Sequence, residues 1–571
     1  MSFTVWAPEQ DRVRVRVDGV DHEMTRGDGG WWRADVEGTD YAFLLGDDEK
    51  AYPDPRSVWQ PKGVHEASRR YDHSAFAWTD QSWTGRALPG SVLYELHIGT
   101  FTPGGTFDSA IEKLDHLVDL GITLVEVLPV NSFDGTDGWG YDGVLWGAVH
   151  EPYGGPDGFK RLVDACHARG LGVVLDVVYN HLGPSGAYLD KFGPYFAGQN
   201  DWGPGLNLDG PGSDEVRRYV IDNALSWLRD FHVDALRLDA VHALVDRRAV
   251  HVLEELAVDV EALSAAVRRP LTLIAESDLN DPKLITPREA GGYGLEAQWC
   301  DDLHHVLHVA LTGEKTGYYE DFAAPGALAR TLREAFFHAG TWSSFRGRTH
   351  GRPVDTRRVP GHRFLAYLQN HDQVGNRATG DRLSATVSPG LLACGAAIVF
   401  CSPYTPMVFM GEEWAASTPW QFFASFPDPE LANAVRTGRR REFGRHGWGG
   451  ADVPDPMDPA TVERSRLDWS EVSEPAHRSM LDLYRSLITL RRTRPELIDP
   501  ALDRFDVHSA PDDSWLALHR GSLRLICNLS SAEVTIPVDA PATILLTSAA
   551  PTLSTTTLAL PAESFTLLDL A

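Results

Sequence analysis

The chain has 571 residues, which is too long for one hydrophobic core and predicts roughly two to four domains. It carries 80 Asp and Glu against 52 Lys and Arg, for a formal net charge of −28. Such a charge repels nucleic-acid phosphates and anionic membrane surfaces, so neither partner is expected. The charge otherwise indicates solubility rather than a particular chemistry.

Five scattered cysteines lie mostly in apolar runs and are odd in number. This pattern predicts buried free thiols in a reducing compartment. No charged segment followed by an apolar one opens the chain, and no uncharged run reaches about 18 residues. We therefore expect a cytoplasmic protein without a membrane span.

The first segment, residues 1–88, has the pattern of a small β-sandwich. Valines 13, 15 and 17 alternate with arginines, which predicts a strand with one buried and one exposed face. Alternating arginines also occur in nucleic-acid strips, but the acidic chain favours the sandwich strand. A linker rich in Gly and Pro is predicted over residues 79–90.

Residues 89–493 alternate apolar strands with amphipathic helices, which predicts a central (β/α)8 TIM barrel. The predicted strands cover residues 94–98, 123–130, 172–178, 235–239, 271–276, 296–300, 364–368 and 407–410. A single helix is predicted over residues 108–120, and Ser213 is predicted to cap a later helix.

Two further segments complete the predicted domain organisation. The loop after the third barrel strand, about residues 182–212, is rich in Gly and Pro and carries Trp202, so a short loop subdomain is expected there. Residues 494–571 return to alternating strands and predict a C-terminal antiparallel β-domain.

Three predicted barrel strands end in a carboxylate, at Asp239, Glu276 and Asp372. An isolated carboxylate inside a buried strand is costly, so these acids should emerge where the strands end. In a (β/α)8 barrel the active site lies at that end.

Two of these acids have informative neighbours. Arg237 and Asp239 are two residues apart in a strand and share a face, so the guanidinium can hold the carboxylate ionised, as a nucleophile requires. Glu276 follows an apolar run that should raise the pKa of its carboxyl group. Alone, each feature is equally compatible with a structural role.

The order of these motifs resembles the four signature segments of the α-amylase family of retaining glycosidases. The matching segments are 176–181 (DVVYNH), 237–239 (RLD), Glu276 and 370–372 (NHD). The resemblance implies that Asp239 is the nucleophile, Glu276 the acid/base and Asp372 the stabiliser of the transition state.

The same resemblance implies a set of substrate-binding side chains. His181 and His371 would bond hydroxyls of the reacting sugar, and Tyr141 in the WGYDG segment would stack on its ring. Arg237 belongs to this set as well. His242 replaces a Lys of secreted α-amylases, which places it on the leaving-group side, and Trp202 is expected beside it.

Segments that include 59–65 (WQPKGVH), 274–282 (IAESDLNDP) and 409–414 (FMGEEW) extend the resemblance over nearly the whole chain. Within that family the resemblance is closest to enzymes that cut the α-1,4 bond next to the terminal trehalose unit of maltooligosyltrehalose. The expected substrates are therefore maltooligosyltrehalose and related α-glucan oligosaccharides, without a cofactor. The open alternatives are a branching or debranching enzyme, or a non-catalytic carbohydrate-binding barrel. The last should have lost a carboxylate, and all three are present.

Two further points concern departures from the family. Asn180 matches a calcium ligand of secreted α-amylases, but calcium needs about six to eight oxygens and few acids lie nearby, so no required metal is predicted. After Phe422-Phe423 relatives tend to have an acid and a His, whereas this chain has Ala424-Ser425-Phe426. Substrate contacts from that loop are therefore left open.

Overall fold

The computed structural model describes residues 2–444, 453–538 and 541–570. Its centre is a closed barrel of eight parallel strands in sequential order, with the last strand pairing with the first. The strands are β1 (Leu93–Leu96), β2 (Leu124–Val127), β3 (Gly172–Val177), β4 (Ala235–Leu238), β5 (Thr272–Ala275), β6 (Ala297–Trp299), β7 (Phe364–Ala366) and β8 (Thr405–Phe409).

Every residue of these strands is buried, because the barrel interior covers one face and the surrounding helices cover the other. The α-helices are Ile98–Phe101, Phe107–Ile111, Leu114–Leu120, Gly155–Ala168, Leu189–Phe192, Ser213–Asp230, Val252–Val267, Asp301–Thr312, Ala327–Glu334, His371–Gly375, Pro389–Cys401, Pro429–Gly444, Pro459–Ser465, Pro475–Thr493 and Pro495–Ile498.

Two helix predictions were wrong in detail. The helix predicted over residues 108–120 is two helices, because Lys113 leaves the regular helical geometry between them. Ser213 is the first residue of its helix and makes no capping hydrogen bond; the cap position belongs to Gly212, whose φ of 77° suits glycine.

The N-terminal segment forms two packed antiparallel sheets, as the alternating pattern predicted. One sheet contains Ser2–Trp6, Trp31–Asp35 and Thr25–Arg26. The other contains Val20–Glu23, Val13–Val17, Asp40–Leu45, Ala51–Tyr52 and Ser68–Arg69. The valines of Val13–Val17 are buried and its arginines lie at the surface side.

The C-terminal segment is also antiparallel. Its larger sheet contains Phe505–Ser509, Trp515–Arg520, Leu523–Asn528, Ser564–Leu570 and Ala542–Thr547. Its smaller sheet contains Val534–Pro537, Thr557–Leu560 and Thr552–Leu553. The predicted fold class, a TIM barrel between two β-domains, is confirmed.

Three short hairpins extend the barrel loops: Asn131–Ser132 with Leu145–Val149, Phe196–Asn200 with Gly203–Leu206, and Thr341–Ser343 with Arg348–His350. All five cysteines are buried free thiols. Among the described residues, no helix combines the length and apolar character needed to cross a bilayer.

Candidate active site

A pocket of about 580 Å³ opens at the carboxyl ends of the barrel strands. Eight of the nine side chains predicted from the sequence line it: Tyr141, His181, Trp202, Asp239, His242, Glu276, His371 and Asp372. The ninth, Arg237, lies beneath it and is fully buried. The end of the barrel therefore brings together residues that are up to 231 positions apart, from Tyr141 to Asp372.

Asp239 follows β4 directly and is held by one donor on each carboxylate oxygen. Arg237 Nη1 donates to Oδ1 at 2.6 Å, and Asn180 Nδ2 donates to Oδ2 at 2.5 Å. The contact between Arg237 and Asp239 is the one that the strand spacing predicts. The side chain is 12% exposed, so its oxygens reach the pocket while the donors fix their orientation.

Arg237 is the charged centre beneath the pocket. Its Nη1 also donates to both oxygens of Asp176 at 2.9 Å, and its Cζ lies 4.4 Å from the Trp299 ring centroid. Burial lowers the pKa of Arg237, but the carboxylates of Asp176 and Asp239 raise it well above its usual value. The guanidinium therefore stays charged inside the barrel.

Glu276 follows β5 and has a different environment. Its Oε2 accepts a hydrogen bond from the backbone N of Ala240 at 2.6 Å and lies 3.6 Å from Arg237 Nη2. Ala240 has a φ of 40°, in the left-handed region, at the turn that follows β4. Burial raises the pKa of Glu276 to about 8, with Arg237 opposing the shift. This group therefore holds a proton at neutral pH.

Asp372 lies in the first turn of the short helix His371–Gly375, which follows β7. Asn370 caps this helix through its side chain, which accepts from the backbone N of Gln373. Asn376 Nδ2 donates to Asp372 Oδ1 at 3.2 Å, and the Asp372 side chain is 43% exposed. Of the three carboxylates it is the most open to a ligand.

His371 links this helix to the bottom of the pocket. Its Nδ1 lies 2.5 Å from Glu95 Oε1, and its Nε2 lies 2.7 Å from the Tyr141 hydroxyl, which also donates to Asp176 Oδ2 at 2.6 Å. Burial lowers the pKa of His371, but the Asp372 and Glu95 carboxylates raise it to about 9. The imidazole is therefore charged at neutral pH.

His181 follows β3 and has both ring nitrogens beside protein oxygens. Its Nε2 lies 3.0 Å from the Tyr141 carbonyl oxygen, and its Nδ1 contacts Asn180 Oδ1. Burial lowers the pKa of His181. The ring thus holds Asn180 and the Tyr141 loop in place while one edge faces the pocket.

Trp202 and His242 form one wall of the pocket, which we call the Trp202 wall. Trp202 is 47% exposed, with ring centroids 6.0 Å from His181 and 5.9 Å from His242. His242 Nδ1 is buried without a hydrogen-bond partner in the protein, and its Nε2 lies 3.8 Å from Asp278. An unpartnered buried nitrogen beside an exposed indole is suited to a sugar hydroxyl.

The pocket is also lined by residues that the sequence analysis missed: Asp142, Asp301, His305, Tyr318, Phe322, Phe345, Arg346, Gln373, Asn376 and Phe422. Asp301 had a recognisable signal, since it follows the predicted sixth strand closely. Tyr318, Phe345 and Arg346 belong to the long connection between β6 and β7, which has no period that points to a site.

The segment Ala424-Ser425-Phe426 supports a neighbouring loop. Ser425 Oγ accepts hydrogen bonds from the backbone N of Thr136 and of Asp137, each at 2.8 Å, and donates to the Asp137 carbonyl oxygen. These contacts fix the loop that leads to Trp139 and Tyr141. Of this region, Phe422 lines the pocket.

The calcium position of secreted α-amylases does not fit the residues present here. Asn180 Nδ2 is turned to Asp239, its Oδ1 faces His181, and its carbonyl oxygen accepts from Asn200 Nδ2 at 2.7 Å. Asp209 Oδ2 accepts from the backbone N of Arg247. These oxygens are engaged in protein contacts rather than converging on one cation, and no step of the chemistry is assigned to calcium.

Comparison with known proteins gives a consistent assignment. Residues 65–202 match the model of the alpha amylase catalytic domain, and residues 500–567 match a domain of unknown function, DUF3459. Malto-oligosyltrehalose trehalohydrolases from Mycobacterium tuberculosis and Arthrobacter ramosus are each 56% identical, over 94% of this chain and 94% of their own length. The structure of a candidate α-amylase from Salmonella typhimurium superposes with a TM-score of 0.91 at 38% identity, covering 100% of this chain and 97% of that one.

Proposed function

Since the chain belongs to the malto-oligosyltrehalose trehalohydrolases of the α-amylase family, and is thus a glycoside hydrolase, we propose that it hydrolyses maltooligosyltrehalose at the α-1,4 bond next to the terminal trehalose unit. The products are trehalose and a shortened α-glucan. We also propose a cytoplasmic location, on the sequence arguments above.

One observation supports the chemistry most directly: Arg237 contacts Asp239 and lies near Glu276, while burial holds a proton on Glu276. Two carboxyl groups in different environments can act as nucleophile and acid. Donors on both oxygens of Asp239 fix the carboxylate and aim it at the sugar.

The reaction then runs in two steps with retention of configuration. An oxygen of Asp239 forms a bond to the anomeric carbon, the bond from that carbon to the leaving oxygen breaks, and Glu276 gives its proton to that oxygen. In the second step Glu276 takes a proton from water, whose oxygen attacks the same carbon and releases Asp239.

Asp372 and His371 act on the same sugar ring. The exposed Asp372 carboxylate is placed to bond ring hydroxyls, and such bonds strengthen as positive charge develops at the reacting carbon. His371, kept charged by Glu95, holds Tyr141 through its hydroxyl so that the aromatic ring can stack on the sugar.

The Trp202 wall carries the proposed choice of leaving group. Trehalose presents its hydroxyls in a different arrangement from maltose, because its two rings are joined through both anomeric carbons. His242 Nδ1 would bond a trehalose hydroxyl while Trp202 packs on a sugar face. A wrong sugar leaves this buried nitrogen unpaired, which penalises its transition state.

Product analysis tests the proposal. The purified protein is incubated with maltooligosyltrehalose or with a maltooligosaccharide of equal length, and trehalose, glucose and maltose are quantified. Trehalose should be the main product of the first, and the second should react slowly. Asp239→Asn is the control, which should fold normally but lose activity by about 10³-fold or more. If both substrates released glucose and maltose at equal rates, or if α-1,6 branches formed, the proposal would be contradicted.

A further inference from the structure

A cluster of two histidines and one aspartate lies on the C-terminal β-domain, outside the catalytic pocket. Asp506 and His508 belong to the edge strand Phe505–Ser509, and His519 belongs to the next strand, Trp515–Arg520. Asp506 and His508 alternate with buried residues, so both side chains leave the same exposed face of the sheet. His519 is the cross-strand partner of Asp506.

The donor atoms of these three side chains are close together. One ligand atom of each residue lies within 4.8 Å of those of the other two, and His508 Nε2 is 3.0 Å from Asp506 Oδ2. The rings of His508 and His519 have centroids 4.5 Å apart. Ligands about 2.0–2.1 Å from one tetrahedral ion are about 3.3 Å apart, so small side-chain rotations complete the geometry.

The backbone adds to this arrangement because the two strands are held in register over five residue pairs. The edge strand is also attached to the barrel, since Arg333 Nη1 donates to the Val507 carbonyl oxygen at 2.7 Å.

The chemistry of the donors selects the class of ion. Two imidazoles and one carboxylate suit zinc and neighbouring transition metals, whereas calcium and magnesium prefer several oxygens. The exposed position leaves room for water as the remaining ligand. Of the residues that the structure describes, no other set of three His, Cys, Asp or Glu side chains brings its donor atoms this close.

We propose that Asp506, His508 and His519 form a Zn²⁺ site that joins the edge strand of the C-terminal sheet to its neighbour. The ion is not required for hydrolysis, because none of the three residues lines the catalytic pocket. Binding to the folded chain should raise its unfolding temperature in proportion to the logarithm of the zinc concentration.

The test is zinc titration of chelator-treated protein by calorimetry, with ZnCl₂ as the probe, together with thermal unfolding with and without zinc. The wild-type chain should bind zinc at this site and unfold at a higher temperature with it. His519→Gln and His508→Gln should each weaken zinc binding at least ~10-fold. Loss of a residue that only supports a metal ligand already weakens metal binding by about 10-fold or more, and these two residues are proposed as ligands themselves. Binding should also weaken as the pH falls, because protons compete for imidazole nitrogens.

The matched control is His22→Gln, a histidine of the N-terminal sheet, which should bind zinc as the wild type does. Each variant should unfold like the wild type in chelator, which separates loss of the site from loss of the fold. The proposal is overturned if His519→Gln and wild type bind zinc equally, or if neither gains thermal stability. Since activity is not the readout, this outcome is independent of the proposed trehalose release.

Discussion

Glu276 is the residue whose protonation state the structure specifies most clearly. Burial raises the pKa of its carboxyl group to about 8, so the proton needed by the leaving oxygen is present below that pH. We expect kcat/KM to fall as the pH rises through about 8. The measurement is kcat/KM as a function of pH, with a check at each pH that the enzyme remains folded. A rate that stays level to pH 10, or that declines already near pH 5, would contradict the acid role.

A second prediction concerns Glu95, which together with Asp372 keeps His371 charged but does not itself line the pocket. In Glu95→Gln the pKa of His371, about 9 in the wild type, should fall, and the activity lost relative to wild type should grow with pH. The matched control is Glu126→Gln, since Glu126 pairs with Glu95 across the strands and burial raises its pKa well above normal. Glu126→Gln replaces a neutral carboxyl group by a neutral amide, so it should leave the pH dependence of activity unchanged. Identical profiles for both variants would refute the role of Glu95.

Among the secondary-structure elements, the barrel strands could be predicted from the sequence. Eight strands were predicted and eight are present. The first seven are one to four residues shorter than predicted, because the apolar runs continue past the last ladder hydrogen bond. The eighth, Thr405–Phe409, begins two residues earlier than predicted and is one residue longer. The acids Asp239 and Glu276 were found for the same reason: each directly follows its strand, where a side chain can leave the core without losing its solvation.

Other contacts lacked any local signal. Glu95 and His371 are 276 residues apart and meet only when β1 and β7 lie in one barrel. Tyr318 and Phe345 lie outside the helices and strands of the connection between β6 and β7, so their place in the pocket lining depends on tertiary packing. The residues at the strand ends could thus be predicted, whereas the pocket residues from the connection between β6 and β7 could not.

The linker before the barrel gives a prediction about stability. His167 Nδ1 lies 2.8 Å from Asp80 of the linker and its Nε2 lies 3.0 Å from Asp234, while the Trp83 ring stacks on the imidazole. Burial lowers the pKa of His167, but hydrogen bonds to Asp234 and Asp80 raise it overall. The contribution to stability is then full below about pH 6.5 and is lost as the pH rises through the folded-state pKa.

Accordingly, His167→Leu should destabilise the fold at pH 6 by about 1.5–3 kcal/mol for each charge-assisted hydrogen bond that it removes, and by less at pH 9. Asp80 keeps His232 and Asp234 keeps Arg269 as partners. Thermal unfolding of variant and wild type across this range measures the difference. His150→Leu is the control: burial lowers the pKa of His150 to about 4, so its cost should not change between pH 6 and 9. A cost of His167→Leu that is equally constant would contradict the charged contact.

The hairpin that carries Trp202 is fixed to the site by Asn200. Asn200 Oδ1 accepts from the backbone N of Trp202 at 2.9 Å, and its Nδ2 donates to the Asn180 carbonyl oxygen. Trp202→Ala should lower kcat/KM for maltooligosyltrehalose about 10-fold, roughly 1.4 kcal/mol, and affect a maltooligosaccharide less. Trp342→Ala is the matched control, because Trp342 is 62% exposed but outside the pocket. Equal losses on both substrates would remove Trp202 from substrate selection.

Across the whole molecule, the N-terminal sandwich supports the loop that carries the Trp202 wall. The ring centroids of Trp6 and Tyr195 are 5.2 Å apart, and Lys50 Nζ lies 4.6 Å from the centroid of the Tyr188 ring. Tyr188 and Tyr195 belong to the loop that also carries Trp202, and Gln10 Nε2 donates to the carbonyl oxygen of Lys191 in that loop. The sandwich therefore positions one side of the active site from outside the barrel.

In the proposed mechanism Asp239 attacks the sugar and the configuration of the anomeric carbon is retained. The most direct measurement is covalent trapping with a 5-fluoro-α-glucosyl fluoride, a slow substrate whose glycosyl-enzyme accumulates, followed by peptide mapping by mass spectrometry. We expect one glycosyl group per chain, attached to the peptide that contains Asp239 and absent from Asp239→Asn. A label on Glu276 or Asp372 instead, or turnover with inversion and no covalent adduct, would contradict it.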